Sequence, residues 1–163
     1  MATLTAYKFD TPDGASKMLD LVKDLVKQQL ITLEDAATVS WPEGKKKPKT
    51  KDLGDLTGAG AVGGAFWGML FGLLFFVPFF GMAVGAAMGA LAGHYSDYGI
   101  DKDFMDSVSA QVTEGTSALF LLTDKVVVDK VSDAVKNSGL KFEIISTNLS
   151  DEQEAKLKED FGS

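Results

Sequence analysis

Between Thr3 and Phe9 the chain alternates and is rich in β-forming side chains, which predicts a strand. Thr11-Pro12-Asp13 then offers an N-cap, a first-turn proline and a first-turn acid. In the helix that follows, Met18, Val22, Leu25, Val26 and Leu30 fall on one face and Lys17, Asp20, Lys23, Asp24 and Lys27 elsewhere, so it faces a core. Asp35 to Trp41 reads as a second strand, closed by Pro42 and Gly44. Lys45-Lys-Lys-Pro-Lys-Thr-Lys51 reads as a basic linker. Beyond an apolar stretch, Gly99 to Val108 opens another helix, Thr116 to Leu122 is an apolar strand, and Val126 to Asn137 is a helix ended by Gly139. Leu140 to Thr147 predicts a fourth strand, and Ser150-Asp-Glu-Gln153 matches a capping box that starts a short polar helix.

The predicted order is β-α-β, apolar hairpin, α-β-α-β, α. Without the hairpin, two β-α-β halves remain, which predicts an α+β fold: a ferredoxin-like sheet with helices on one face. Residues 1–52 are then its first half with the basic linker, 53–97 an inserted helical hairpin, and 98–163 the second half with the C-terminal helix.

In the hairpin Gly60, Gly64, Gly68 and Gly72 recur every four residues, and after Pro78 so do Gly81, Gly85, Gly89 and Gly93. Residues four apart share a helix face, so each half presents a groove without side chains through which backbones can approach closely. Each interior glycine costs a helix about 0.5–1 kcal/mol relative to alanine, so close packing has to compensate. Pro78 marks the hairpin turn. Gly58 to Val77 would span about 30 Å as a helix, the thickness of a hydrocarbon core, and carries nine Val, Leu or Phe residues. Phe79 to Tyr95 is shorter and has only Phe79, Phe80, Val84 and Leu91, so its insertion would depend on docking. A re-entrant hairpin and two full spans both remain open.

Charge sharpens this picture. Thr57 to Ser96 carries no formal charge. Residues 1–57 balance nine Lys against nine acids, whereas residues 97–163 hold seven Lys and fourteen acids, the source of the net charge of −7. All sixteen cations are Lys, and an acidic chain without Arg argues against specific nucleic-acid binding. Lys45, Lys46, Lys47, Lys49 and Lys51 precede the hairpin and are placed to face lipid headgroups, with a cytoplasmic start under the positive-inside rule. The N-terminus lacks a basic n-region and an apolar h-region, so no cleaved signal peptide is expected.

Chemistry is sparse. No Cys is present, so disulfides and thiolates are excluded. Gly58-Ala-Gly60-Ala-Val-Gly63 fits the dinucleotide fingerprint but follows no strand, and no acid stands where the ribose would need one. His94 is the single His and reads as an interfacial residue at a helix end. Asp101, Asp103 and Asp106 lack the glycine and closing Glu of a calcium loop and read as first-turn acids. No catalytic constellation stands out, and neither enzyme activity, a cofactor nor a metal is expected.

Ile31-Thr-Leu-Glu-Asp-Ala-Ala, the two glycine series about Pro78, Gly99-Ile-Asp-Lys-Asp-Phe, Gly115-Thr-Ser-Ala-Leu-Phe-Leu-Leu and Ser146-Thr-Asn-Leu-Ser together resemble a bacterial family of unknown function described as predicted membrane proteins with a central glycine zipper. The resemblance implies a bacterial source and membrane association and brings no catalytic residues. The expected protein is a homo-oligomeric, membrane-associated structural or stress-related protein of the inner membrane, its α/β domain cytoplasmic and its partners its own copies and lipid. A pore-forming or membrane-remodelling protein, and a cytoplasmic oligomer enclosing an apolar ligand, are the alternatives.

Overall fold

The computed structural model describes residues 2–52, 63–76 and 95–161. Strands β1 (Ala2–Phe9), β2 (Asp35–Ser40), β3 (Lys49–Asp52), β4 (Ser117–Asp124) and β5 (Glu143–Leu149) form one sheet in the order β3-β2-β4-β1-β5, every neighbouring pair antiparallel. The helices are α1 (Gly14–Lys27), α2 (Gly63–Phe71), α3 (Lys102–Gln111), α4 (Lys125–Asn137) and α5 (Asp151–Phe161). Both β1 and β2 oppose β4, and both β4 and β5 oppose β1. The units β1-α1-β2 and β4-α4-β5 are therefore interleaved, each holding a strand of the other between its own two.

Alternation along the strands sorts side chains onto two faces. On one, Tyr7, Phe9, Ala36, Leu119 and Leu121 meet Ala15, Met18 and Val22 of α1 and Val127, Val131 and Val135 of α4. On the other, Ala2, Leu4, Ala6, Ala37, Val39, Ala118, Phe120 and Leu122 meet α2, α3 and α5. Helices thus cover both faces, not one as the element order predicts. The reason lies in β4, whose residues from Ser117 to Thr123 are buried on both sides, as expected of a continuous apolar run.

Two local starts differ from expectation. The basic stretch ends in a strand: Lys49–Asp52 pairs with β2 in the register Ser40↔Lys49 to Ala37↔Asp52. And α1 begins at Gly14, with Asp13 at the N-cap position but making no side-chain cap. The cap comes from across the sheet, where buried Ser117 Oγ accepts from the Ala15 N–H (2.9 Å) and donates to the Thr11 carbonyl (2.7 Å). The later starts follow the sequence. Asp101 accepts from the Phe104 N–H at 2.7 Å, and the capping box closes reciprocally, Ser150 N–H to Gln153 Oε1 at 2.8 Å and Gln153 N–H to Ser150 Oγ at 3.2 Å.

Candidate functional site

Helix α2 is nine residues long and runs into a wider turn of π-helix at Gly72–Phe76, whose Leu74 carbonyl accepts from Ser109 Oγ on α3 at 3.1 Å. Among the described residues no helix is long and apolar enough to cross a membrane. Phe66, Trp67, Met69, Leu70, Phe71, Leu74 and Phe75 are all buried. This part of the apolar stretch is therefore covered by its own domain.

The cover is specific. Trp67, Phe71 and Phe75 stand four residues apart on the sheet side of the helix. Trp67 and Phe71 stack at 5.8 Å between centroids, and both meet the ring of Phe120 edge-on, at 6.3 and 5.2 Å. Phe75 meets Trp41 at 6.4 Å. Ala2, Ala6, Ala37 and Ala118 supply a floor low enough to take such rings, a large-against-small fit that fills the layer. Each ring directly precedes Gly68, Gly72 or Phe76, so the sequence carried this stripe in plain view, masked by the stronger glycine period beside it.

The glycines fall as follows. Gly68 is exposed although its neighbours on both sides are buried, and a Cβ built on it would meet nothing within 4 Å. Gly72 is buried at the start of the π turn, and Gly64 lies in the first turn of α2. Gly60, Pro78, Gly81, Gly85, Gly89 and Gly93 lie outside the described residues, as does His94.

The lysines converge on the same region. Lys45, Lys46, Lys47, Lys49 and Lys51 are all exposed, and β3, which carries the last two, packs against α2. The preceding turn is pinned from three sides. Trp41 Nε1 donates to the Lys45 carbonyl (3.0 Å), the Lys45 N–H to the Pro42 carbonyl (3.2 Å), and the Gly44 N–H to Glu114 Oε1 (2.6 Å). Gly44 sits at φ +81°, where a side chain would be strained. A fixed cluster of cations thus borders an apolar helix.

One charged cluster escaped the sequence reading. Lys158 on α5 lies 2.7 Å from Glu34, just before β2, and 2.9 Å from Glu154. Burial, then the hydrogen bond with Glu154, pushes the Glu34 carboxyl above the usual carboxylate range. The same hydrogen bond, with help from Lys158, holds Glu154 below it, and both carboxylates push the Lys158 ammonium up. Glu34 is thus the member of the pair that takes up a proton first. Only the i,i+4 spacing of Glu154 and Lys158 was visible in the sequence; Glu34 stands 124 residues from Lys158. Asp101 and Asp103 sit at the start of α3 as a cap and a first-turn acid, and no group of acids, His or Cys among the described residues could hold a metal ion.

No curated protein and no solved structure matches the chain. Residues 61–162, more than half of the chain and including α2 with everything after it, match a family described as protein of unknown function. The chain belongs to that family, DUF1269.

Proposed function

We propose that the protein is a homo-oligomeric structural protein, associated with the cytoplasmic side of a membrane, whose subunits join through the glycine-lined face of the 53–97 segment. The observation that carries this reading is Gly68. It is exposed, with no atom of the described residues within 4 Å of the place its side chain would take, while the aromatic stripe on the other side of α2 is seated on the sheet. An apolar helix that buries one side and leaves bare backbone on the other suits close approach of a second helix. The adjoining cations of Lys45 to Lys51 suit anionic headgroups, each worth about 1 kcal/mol near such a surface. The interleaved strand order supports a ferredoxin-like framework with β3 as an added edge, and the two glycine series between its halves support reading the segment as an inserted glycine-zipper hairpin.

A second reading has its own observation. The buried rings of Trp67, Phe71 and Phe75 favour a particle in which the apolar stretch is protein interior, as in a soluble oligomer enclosing an apolar ligand. Cell fractionation with an alkaline carbonate wash, followed by native mass measurement, separates the two. Membrane retention after the wash is the expected result; recovery of a large particle in the soluble pool would transfer the glycine face to a protein interior. In either pool Gly68→Leu should break the assembly while the circular dichroism spectrum is kept. An unchanged mass would remove the glycine face from the account.

A further inference from the structure

The sheet face opposite α2 carries a surface of a different kind. On α4, Val126, Lys130, Asp133 and Asn137 follow one another at intervals of four, three and four, a single exposed stripe. Val126 is 62% exposed, large for an apolar residue on a helix whose Val127, Val131 and Val135 are buried. Beside the stripe's C-terminal end, Leu25 of α1 and Leu30 and Ile31 just beyond it join Lys130, Asp133, Ala134 and Asn137 around an open depression of about 390 Å³. Leu30, on its rim, is 53% exposed. Neither Lys130 nor Asp133 has an ion-pair partner among the described residues.

We infer that this face is a two-fold interface with a second copy of the chain, in which α4 packs antiparallel against its own equivalent. The charges single out that occupant. In an antiparallel pair centred between Val131 and Ser132, Lys130 of each copy faces Asp133 of the other, and Val126 of each faces Asn137 of the other. Both ion pairs then form at once, and the exposed Val126 of one copy arrives at the depression walled by Leu25, Leu30 and Ile31 of the other. Pairing that is reciprocal in charge and in shape is what a self-complementary surface requires. The surface lies across the sheet from the glycine face and does not rest on the reading proposed for it. Together the two faces would let one subunit contact copies on both sides of its sheet.

The test uses the full-length chain in mild detergent, with sedimentation equilibrium as the readout. Lys130→Asp sets like charges against each other twice over and should weaken the dimer at least tenfold, since a like-charge contact costs several kcal/mol. Adding Asp133→Lys to the same chain should restore it, a rescue that a folding defect could not give. Failure of the rescue, or dimers indifferent to Lys130→Asp, overturns the interface. The register is read separately. Because the chain has no cysteine, Val126→Cys with Asn137→Cys introduces the only two thiols. Eleven residues apart on one helix they lie about 16 Å from each other, beyond disulfide reach. Oxidation should therefore link two chains in the double variant and leave each single variant as monomer on a non-reducing gel. Equal cross-linking of the single variants, or a bond to some other protein only, refutes this register and this partner. Repeating the sedimentation in Gly68→Leu separates the two surfaces: the α4 dimer should persist there as a two-subunit species.

Discussion

At Trp67 two demands meet in one side chain. It is 1% exposed, stacked on Phe71 and against Phe120, yet its indole Nε1 has no hydrogen-bond partner among the described residues. Burying a polar group without a partner costs about 1–3 kcal/mol, so the ring is held by its area and not by its N–H. Trp67→Phe should consequently be tolerated, whereas Trp67→Ala should lose about 3–5 kcal/mol in urea denaturation. Glu34 poses a different residue-scale question. A carboxyl whose pKa is raised in the folded chain binds its proton more tightly there than in the unfolded chain. Its contribution is fully present below the ordinary Glu value and is lost as pH climbs through the raised one. Glu154 works oppositely, adding stability above its ordinary range and losing it as pH falls. Glu34→Gln keeps a donor for Glu154 and an acceptor for Lys158 without the second negative charge. In thermal melts it should raise the midpoint at pH 7 and shrink the difference between pH 5 and pH 7; an unchanged profile would mean the three groups do not share a proton.

Elements whose ends are set by local chemistry were legible, and those set across the fold were not. The capping box of α5 and the Asp101 cap of α3 are written within four residues, and the backbone obeys them. Ser150→Ala should therefore cost about 1 kcal/mol, measured by chemical denaturation. The start of α1 is decided by Ser117, more than a hundred residues away, which no local reading of Thr11-Pro12-Asp13 could find. Strand β3 was hidden by composition: Lys49-Thr-Lys-Asp52 has no apolar residue, and its register comes from backbone pairing with β2. Edge strands rich in Lys are protected from pairing with strangers, which explains why a strand should look like a linker. For α2 the glycine period was legible but the side it faces was not, because an aromatic series at the same spacing lies beside it. Gly68 offers a clean check on that orientation. With nothing near its missing Cβ, Gly68→Ala should stabilise the helix by about 0.5–1 kcal/mol, whereas a helix turned the other way would clash with the sheet and lose stability.

For the molecule as a whole, the order of helices on the sheet decides what the apolar segment can do. Reading two β-α-β halves from the chain led to an α+β fold, but not to the fifth strand or a second helical layer, since nothing local reveals which face an apolar helix will choose. The face it covers is assembled from distant parts. Ala2 pairs with both Asp124 and Leu149, and Phe120, against which Trp67 and Phe71 lie, sits in β4. During synthesis α2 therefore leaves the ribosome before the strand that will shelter it exists. At about 5–20 residues per second, that interval lasts some seconds. For that time an uncharged stretch stands without its sheet, open to a bilayer, to a chaperone, or to the same stretch on a neighbouring nascent chain. Which of them arrives first is a kinetic choice made before the fold is complete, and slowing translation between α2 and β4 would lengthen the time in which it is made.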